Sequence, residues 1–514
     1  MKWRRWLTSA LAGALLLGGC AQNGLPFGTA INGEYGAMGG KLKGDFTPDW
    51  VKDAVFYQIF PERFANGDTK NDPQGVQPWG SQPTNSNFMG GDLEGVRQHI
   101  PYMKQLGINA IYFNPIFESS SNHKYNTMDY MKIDPHFGTN AQFKSLLDEL
   151  HRNGIRVIID GVFNHTGDDS VMFQDCVKNG PKSQYWNWYH IYGFPVVNSP
   201  KPNYDAWWGF GTLPKLMVAN NPDVQNYLYN VTTYWTKMGI DGWRLDVPNE
   251  IGSDSFWQGF RQRVKAINPN AYIVGEIWDD GSHYVQGNMF DAVMNYAFQK
   301  QMVSFFANEN ESVDDFDAGL ATIRNHYGPA VTQAEFNLLD SHDTPRFQTS
   351  AGNNPNRQKE AAFFQFVYPG APVIYYGDEL GMQGAMDPDN RRCMAWNTVQ
   401  GNQMLAYYKK LIAIRKAHPA LRGPVFQTLM RHNDFRLFAF VRADQTEKVV
   451  VALNSGKNAT YDFSLNVAGV FPDGAKLVDF MTGKTYQVGT GGTLAIPGVA
   501  TGTGVILGLA AGHR

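Results

Sequence analysis

The strongest pattern in the chain is a short run in which apolar and charged residues alternate. Apolar residues stand at positions 243, 245 and 247, and Arg244 and Asp246 stand between them, a period of two that is typical of a β-strand. Because successive strand residues point to opposite faces, Arg244 and Asp246 are expected on the same face. A guanidinium beside a carboxyl group lowers its pKa, so we expect Asp246 to be ionised.

Seven further apolar runs have the length and composition of strands. They occupy residues 54–60, 110–113, 155–159, 272–275, 290–295, 336–339 and 372–376. Apolar residues recur at helical spacing in most of the gaps between them, and Pro101 is expected to kink the first of these helices. Strands that alternate with helices in this way predict an α/β fold, a (β/α)8 TIM barrel that spans residues 50–423.

Two regions depart from this alternation of strands and helices. Residues 166–214 form a long polar and aromatic stretch, and since structureless loops of this length are uncommon, we predict a small domain inserted after the third strand. Beyond residue 423 the helical patterns end, and short apolar runs separated by turn residues follow. These runs predict a C-terminal all-β domain, a sandwich, at residues 424–514.

The composition is that of a well-cored globular protein. Hydrophobic residues make up 43% and aromatic residues 14% of the chain, which excludes a disordered protein. The net charge is −3 and no basic block occurs, so we expect no nucleic acid partner. The 13 Trp and 24 Tyr residues supply flat faces on which sugar rings stack, although an ordinary aromatic core would also use them.

The first 20 residues have the composition of an export signal. A basic start precedes 12 apolar residues, 6–17, which are too few to span a membrane. The following Leu17-Gly18-Gly19-Cys20 resembles a bacterial lipobox, in which the cysteine carries a lipid. We therefore expect residues 1–20 to be a lipoprotein-type signal peptide, residues 21–49 to be a flexible linker, and Cys20 to anchor the protein to a membrane. A cleaved signal without lipid is the alternative.

These features predict a protein outside the cytoplasm. The outer membrane or the cell surface is favoured over a periplasmic or secreted location. If Cys20 is acylated, Cys176 and Cys393 remain, and the sequence leaves open whether they form a disulfide.

Three of the predicted strands lead to carboxylates at their C-terminal ends. Asp246 ends the alternating run, Glu276 follows the run at 272–275, and Asp343 comes shortly after the run at 336–339. Because the active sites of α/β barrels lie at this end of the strands, we expect the three side chains to converge. Any one of them alone would more simply be a structural ion-pair residue, but three at matched strand ends indicate catalysis.

Four motifs resemble those of the α-amylase family of glycoside hydrolases, in the family's order and over nearly the whole chain after the signal. They are Asp160-Gly161-Val162-Phe163-Asn164-His165, Gly242-Trp243-Arg244-Leu245-Asp246, Gly275-Glu276-Ile277-Trp278 and Leu339-Asp340-Ser341-His342-Asp343. A further element, Leu213-Pro214-Lys215-Leu216, is similar to the neopullulanase, cyclomaltodextrinase and maltogenic amylase branch of the family.

The resemblance implies a retaining mechanism with three acidic residues. In it Asp246 is the nucleophile, Glu276 the general acid/base and Asp343 the transition-state stabiliser. Retaining hydrolysis needs one ionised and one protonated carboxyl group about 5–5.5 Å apart. Arg244 would hold Asp246 ionised, and the converging like charges would raise the pKa of Glu276.

The resemblance also implies a set of substrate-binding residues. Two histidines would bind sugar hydroxyls next to the scissile bond, and a tyrosine would form an aromatic platform beneath the sugar. Trp278 would face the leaving-group side, and so would Trp207 or Trp208, for which packing inside the inserted domain is an equal alternative. The expected residues are Tyr125, Asp160, Asn164, His165, Arg244, Trp278 and His342.

A loop ahead of the second predicted strand is rich in oxygen donors. Such donors suit Ca²⁺, a hard cation that takes six to eight oxygen ligands, and the resemblance implies a calcium site at this place. The alternative is a polar turn in which Asp92 caps a helix. The expected ligands are Asn66, Asp68, Asn71, Asp72, Asp92 and the carbonyl group of Gly90.

These observations predict a retaining hydrolase of α-1,4-glucosidic bonds in starch-type α-glucans, with the choice among starch, pullulan, cyclodextrins and maltodextrins left open. One alternative is an α-glucan transglycosylase, and another is a non-catalytic glucan-binding lipoprotein. Members of this branch usually carry an N-terminal β domain that supports dimers. Since the barrel is predicted to begin near Trp50, without that domain, we expect a monomer.

Overall fold

Eight parallel strands form the centre of the molecule. The computed structural model describes residues 46–456 and 460–510. The strands are β1 (Phe56–Ile59), β2 (Ala110–Phe113), β3 (Arg156–Gly161), β4 (Gly242–Leu245), β5 (Tyr272–Gly275), β6 (Ala292–Val293), β7 (Phe336–Leu338) and β8 (Ala371–Tyr375). Neighbours in the sheet follow the order β6-β5-β4-β3-β2-β1-β8-β7, and a parallel bridge between Met294 and Phe336 closes the ring. The predicted TIM barrel is therefore confirmed.

The register of the barrel sets its charged residues side by side. Asp160 on β3 stands opposite Arg244 on β4. Leu245 on β4 stands opposite Gly275 on β5, so the residues that follow these two strands, Asp246 and Glu276, leave the sheet together.

Helices cover the outside of the barrel. Pro101 lies in the first turn of the second of two short helices, so the predicted kink is a break between them. The α-helices are Asp49–Lys52, Pro61–Phe64, Leu93–Gln98, Ile100–Leu106, Asn140–Arg152, Val171–Asn179, Pro222–Met238, Asp254–Ile267, Tyr296–Met302, Val313–Ala334, Phe347–Ser350, Pro355–Val367 and Gln403–Ala417.

The helix before β4 illustrates how the sequence sets these elements. Asn221 caps Pro222–Met238 by accepting hydrogen bonds from two backbone amides of the first turn. Gly239, with a φ of 114°, ends it in the left-handed conformation that glycine favours. Leu228 and Trp235 are fully buried against the barrel, and burial of such side chains stabilises by about 1.5–3 kcal/mol each.

The inserted segment after β3 contains little regular structure. It holds the helix Val171–Asn179, single 3₁₀ turns at Trp186–Trp188 and Trp207–Gly209, and isolated bridges such as Ile191 to Tyr204. A hairpin that the sequence analysis did not predict, Phe117–Ser119 paired with Thr127–Ile133, precedes it after β2.

The C-terminal part is all β, as predicted. Six strands form one antiparallel sheet, two form another, and an apolar core of its own includes residues of both sheets. The strands are β9 (Val425–His432), β10 (Leu437–Ala443), β11 (Lys448–Asn454), β12 (Tyr461–Asn466), β13 (Lys476–Asp479), β14 (Thr485–Gln487), β15 (Thr493–Val499) and β16 (Thr503–Leu509).

The predicted signal segment and its Cys20 lie outside the described residues, as does the predicted linker up to residue 45. Within residues 46–456 and 460–510 no helix has the length and apolar character needed to cross a bilayer. Cys176 and Cys393 are both buried, and each is a free thiol rather than half of a disulfide.

Candidate active site

Arg244 lies at the centre of a cluster of carboxylates at the C-terminal end of the barrel. Its Nη1 is 2.9 Å from an oxygen of Asp160 and 2.9 Å from Oδ1 of Asp246. Its Nη2 is 2.9 Å from Oε2 of Glu276, an electrostatic contact without good hydrogen-bond geometry. The guanidinium is fully buried. One cation therefore holds three carboxylates that the sequence places on three successive strands.

Local backbone geometry aims Asp246 and Glu276 at this cation. Val247 adopts a φ of 32°, which is rare for a branched residue and turns the chain sharply after Asp246. The amide N–H of Val247 donates to Oε2 of Glu276 over 3.0 Å. A Cβ atom at Gly275 would lie 2.7 Å from the ring of Phe290, so only glycine lets β5 pass this ring.

The expectation that the pKa of Asp246 would be lowered overall is wrong, although Arg244 does act in that direction. Burial raises the pKa of Asp246 well above its ordinary value, and the charge of Glu276 raises it further, whereas Arg244 opposes both. Arg244 is shared among three carboxylates, so it compensates each of them only in part. The protons of such a cluster belong to the group as a whole.

Asp343 stands at the edge of the same cluster. Its Oδ2 is 3.2 Å from Nε2 of His342, and its Oδ1 is 3.5 Å from Nη2 of Arg391. Burial, and then the charge of Glu276, raise the pKa of Asp343 to about 7. The cluster without substrate therefore retains a proton close to neutral pH.

Replacing Asp343 by asparagine should make stability less sensitive to pH. The folded protein holds the Asp343 proton up to about pH 7, and an unfolded chain releases it near pH 4, so the wild type loses stability as pH rises through this window. Urea unfolding at pH 5 and pH 8 measures this effect. The free energy of unfolding of Asp343→Asn, taken relative to that of the wild type, should be about 1–3 kcal/mol higher at pH 8 than at pH 5. Asp434→Asn, at an exposed turn, is the control. An equal difference at both pH values would contradict the assignment.

The two histidines predicted to bind substrate are neutral and buried. Burial lowers the pKa of His165 to about 4, and burial with nearby arginines lowers the pKa of His342 well below its ordinary value. Nδ1 of His165 is 3.1 Å from Nδ2 of Asn164, and its Nε2 is 3.2 Å from the carbonyl oxygen of Tyr125. The element at 213–216 lies against this motif, because the backbone of Lys215 forms an antiparallel β-bridge with that of His165.

Aromatic residues line the approach to the carboxylates. Tyr125 donates from its hydroxyl group to Oδ2 of Asp160 over 2.9 Å. Nε1 of Trp278 donates to Oε1 of Glu276 over 3.0 Å, and its ring, 38% exposed, stacks on Tyr296. Trp207 stacks on His165. The structure thus brings all the predicted catalytic and substrate-binding residues to one end of the barrel.

Trp208 extends this row of rings outwards. Its ring stacks on that of Trp207 with 5.3 Å between the centroids, and the residue is 78% exposed. Trp207 is therefore packed against both His165 and Trp208, whereas Trp208 combines packing inside the inserted segment with an exposed ring.

Asp92 is surrounded by N–H donors rather than by other oxygens. Its carboxylate accepts from the amides of Gly67, Asp68 and Gly95 at 3.0, 2.9 and 2.6 Å, and from Nδ2 of Asn71 at 3.1 Å. The bond from Gly95 is the helix cap that the sequence analysis considered. Asp92 therefore orders the loop and has little capacity left for a cation.

Other predicted donors of this loop do have free oxygens. Oδ1 of Asn66 and Oδ1 of Asn71 are both buried and lack hydrogen-bond partners. Nδ2 of Asn66 donates to Asp72 over 2.7 Å, and a Cβ atom at Gly90 would collide with both side chains. The backbone of Gly90 thus packs closely against the amide group of Asn66 and the carboxylate of Asp72.

Sequence reasoning missed several polar residues of the site. Gln58 on β1 contacts His342, Tyr112 on β2 donates to Asp160 over 2.6 Å, and Nε of Arg391 donates to the carbonyl oxygen of His342 over 3.0 Å. Gln58 and Tyr112 interrupt otherwise apolar strands, a signal that could have identified them. Arg391 lies in a long loop, and no local pattern distinguishes it.

Comparison with known proteins identifies relatives of this fold and site. The family model for the alpha amylase catalytic domain matches residues 58–401. A maltogenic alpha-amylase from Bacillus acidopullulyticus is 46% identical over 427 residues, 82% of this chain and 72% of the relative. A cyclomaltodextrinase from Thermoanaerobacter pseudethanolicus is 48% identical over 430 residues, 82% of this chain and 74% of the relative. A solved cyclomaltodextrinase structure superposes with a TM-score of 0.84 at 42% identity, covering 90% of this chain and 79% of that one.

The comparisons contradict the predicted export and membrane anchoring. A relative from Bacillus subtilis, 45% identical over 449 residues and covering 86% of this chain and 74% of its own length, is named an intracellular maltogenic amylase. The prediction depended on the hydropathy of about 20 residues with no fold to test it. Similarity across several hundred folded residues outweighs so short a pattern, and the prediction of an exported lipoprotein anchored at Cys20 is therefore wrong.

Family membership follows from the extent of the match and from what it contains. The matched residues 58–401 include the end of β1, all of β2 to β8 and the carboxylate cluster around Arg244. The match with each of the two sequence relatives covers more than two thirds of that relative's length, and the identity is far above 30%. The chain belongs to the alpha-amylase family and is a glycoside hydrolase of that family.

Proposed function

We propose that the chain hydrolyses α-1,4-glucosidic bonds of starch-type α-glucans with retention of configuration. In this proposal Asp246 is the nucleophile, Glu276 the general acid/base and Asp343 the stabiliser of the transition state. The observation that carries it is the arrangement of Asp246 and Glu276 on the two terminal nitrogens of Arg244, each at 2.9 Å. Two carboxylates held on one guanidinium are close enough to act on the same glycosidic bond.

The first half-reaction forms a covalent intermediate. An oxygen of ionised Asp246 attacks the anomeric carbon, and the bond from that carbon to the leaving oxygen breaks as Glu276 gives the oxygen its proton. Asp343 stabilises the positive charge that develops on the sugar. Arg244 keeps the attacking carboxylate in place, and Trp278 holds Glu276 through its indole N–H.

The second half-reaction restores the enzyme. Glu276, now ionised, takes a proton from a water molecule whose oxygen attacks the anomeric carbon, and the bond to Asp246 breaks. The raised pKa values of Asp246 and Asp343 mean that the ligand-free cluster carries a proton that the reaction needs on Glu276. Substrate binding therefore has to redistribute this proton within the cluster.

Oligosaccharide chemistry suits the aromatic lining. Trp278 and Trp208 present open ring faces, on which the apolar faces of glucose rings stack. The relatives named maltogenic amylase and cyclomaltodextrinase support short or cyclic α-1,4-glucans as substrates. An alternative acceptor, a sugar in place of water, would bind on the same side and make the enzyme a transglycosylase.

Hydrolysis followed by proton NMR tests the proposal. Maltotriose, a cyclodextrin, pullulan and starch should be compared, with product sizes measured at low and high substrate concentration. New reducing ends should first appear as the α-anomer and then mutarotate. First appearance of the β-anomer would overturn the retaining mechanism, and products longer than the substrate would favour transglycosylation.

We also infer a structural Ca²⁺ ion in the loop at residues 66–92. The unpartnered oxygens of Asn66 and Asn71 and the carboxylate of Asp72 have the chemistry of calcium ligands. Asp68 and the carbonyl group of Gly90 are the further expected ligands, and Asp92 would order the loop around the ion. A bound ion would satisfy buried oxygens that otherwise lower stability.

Removal of calcium should lower the melting temperature more than it lowers kcat. An ion that binds only the folded protein stabilises it by about 2.7 kcal/mol at a concentration 100-fold above Kd. Melting curves with a strong chelator and with added Ca²⁺ measure this. Asn66→Ala should weaken the response, whereas Asn85→Ala, at an exposed position of the same loop, should not. Identical melting curves, with no calcium found by elemental analysis, would exclude the ion.

A further inference from the structure

A chain of hydrogen bonds runs beneath the carboxylate cluster, and Gln58 joins it to His342. Gln58 lies on β1 and is fully buried. Its Nε2 is 3.0 Å from Oδ1 of Asn114 and 3.0 Å from Nδ1 of His342. The amide group therefore contacts one of the two ring nitrogens of a histidine in the active site.

Arg244, at the far end of this chain, determines which atom donates and which accepts in each of its hydrogen bonds. A guanidinium only donates, so Asp160, at 2.9 Å from it, accepts this hydrogen bond. The hydroxyl group of Tyr125 lies 2.9 Å from Asp160 and gives its single proton to that carboxylate. Tyr125 Oη can then only accept from its other neighbours, which include Nδ2 of Asn114 at 3.1 Å.

The direction passes from Asn114 to Gln58 and on to His342. Because Asn114 turns its Nδ2 towards Tyr125, its Oδ1 faces Gln58 and accepts from Nε2. The second hydrogen of the same Gln58 nitrogen points to Nδ1 of His342. A ring nitrogen that accepts a hydrogen bond carries no proton, so the proton of a neutral His342 is on Nε2.

The opposite orientation is incompatible with the hydroxyl groups nearby. It would turn Oδ1 of Asn114 towards the hydroxyl oxygens of Tyr125 and Tyr112. Both hydroxyl groups already donate to Asp160, at 2.9 and 2.6 Å, so oxygen would face oxygen without a proton between them. In the observed orientation both polar atoms of the Asn114 side chain have partners, and Oε1 of Gln58 has none.

The surroundings of Nε2, the other ring nitrogen of His342, are those of a hydrogen-bond donor. Nε2 of His342 is 2.5 Å from Oη of Tyr125, which has no proton left to give, and 3.2 Å from Oδ2 of Asp343. Burial with nearby Arg391 and Arg244 holds the pKa of His342 far below its ordinary value, so the ring is uncharged.

We propose that Gln58 is a positioning residue that fixes His342 as the neutral tautomer with its proton on Nε2. The nitrogen that faces Asp343 and the substrate is then a hydrogen-bond donor without a positive charge. A charged ring would compete with Arg244 for the carboxylates, and the other tautomer would set a lone pair against them. The tautomer follows from the contacts of the resting protein, whereas its effect on turnover rests on the proposed function.

Nitrogen NMR of protein labelled with ¹⁵N-histidine tests the tautomer directly. The His342 signals, identified by their loss in His342→Asn, should show a protonated Nε2 and an unprotonated Nδ1. In Gln58→Glu, a carboxylate accepts where the amide donated, so Nδ1 should become protonated. Loss of the Nε2 donor should lower kcat for maltotriose on the order of 10²-fold with a smaller change in KM.

Two leucine variants separate positioning from stability. Gln58→Leu removes the donor without adding charge and should leave His342 a mixture of tautomers. Gln365 is equally buried and also donates two hydrogen bonds from Nε2, to carbonyl oxygens of Asn337 and Val373 at 2.9 and 2.8 Å, away from His342. Gln365→Leu should lower the melting temperature as much as Gln58→Leu and leave the His342 signals unchanged.

The outcomes are distinct. A protonated Nδ1 in the wild type, or a His342 signal that is unchanged in both Gln58 variants, would overturn the inference. A changed tautomer with unchanged kcat would support the inference about Gln58 and would contradict the use of His342 in the proposed function.

Discussion

Turnover of maltodextrins is expected to fall by at least about 10⁴-fold when Asp246 is replaced by asparagine. A neutral amide cannot form the glycosyl ester, and it also loses the ion pair with Arg244 at 2.9 Å. Folding should survive, because the substitution removes one of several like charges around a single guanidinium. Initial rates of the purified variant and its melting temperature together measure the effect.

A matched control distinguishes chemistry from the loss of a buried ion pair. Asp291 is fully buried and pairs with Arg261 at 2.8 Å and Lys265 at 2.9 Å rather than with Arg244. Asp291→Asn should lower stability while turnover per folded molecule stays near the wild-type value. Equal loss of turnover in both variants, or a normal rate for Asp246→Asn, would refute Asp246 as the nucleophile.

Removal of the Glu276 side chain should produce a loss that depends on the leaving group. Without a general acid, Glu276→Ala should hydrolyse maltotriose about 10²- to 10⁴-fold more slowly. Maltosyl fluoride needs no proton for departure of fluoride, so its first step should be nearly unaffected. The covalent intermediate should then accumulate, because no base activates water, and mass spectrometry of the intact protein should detect it.

Azide distinguishes the roles of the two carboxylates by stereochemistry. In Asp246→Ala, azide occupies the space of the nucleophile and should convert α-maltosyl fluoride into a β-glycosyl azide. In Glu276→Ala, azide attacks the intermediate on Asp246 from the opposite face and should give an α-glycosyl azide. The same anomer from both variants would contradict the assignment of the roles.

Local sequence patterns determined the architecture. Apolar runs such as 110–113 and 272–275 became β2 and β5 because a strand buried on both faces needs little besides apolar side chains. Proline and asparagine residues at the starts of helices also act only on neighbouring residues of the chain. The four motifs indicated the family, since short strand ends carry the polar residues that such barrels use.

Short or irregular elements were less predictable. The run at 290–295 contributes only Ala292–Val293 as a strand, and the hairpin at 117–133 did not stand out from the loop around it. Their conformations depend on neighbouring segments of the chain rather than on their own periodicity.

Only the tertiary structure decided the electrostatics of the site. The sequence places Arg244 two residues from Asp246 and so suggested a lowered pKa, but folding adds Asp160 and Glu276 to the same guanidinium and removes water from all of them. The direction of the shift is reversed, because desolvation and like charges act over distances that no sequence interval reports.

The same reason explains Gln58. In the sequence it is a single polar residue in an apolar strand, separated from His342 by 284 positions. Its hydrogen-bond partners come from the residue after β2 and from the loop after β7, and the direction of each bond is determined by Arg244 on β4. The sequence thus determined which strands form and which acids follow them, whereas closure of the barrel determined which side chains share charges and protons, because both depend on distances between residues far apart in the chain.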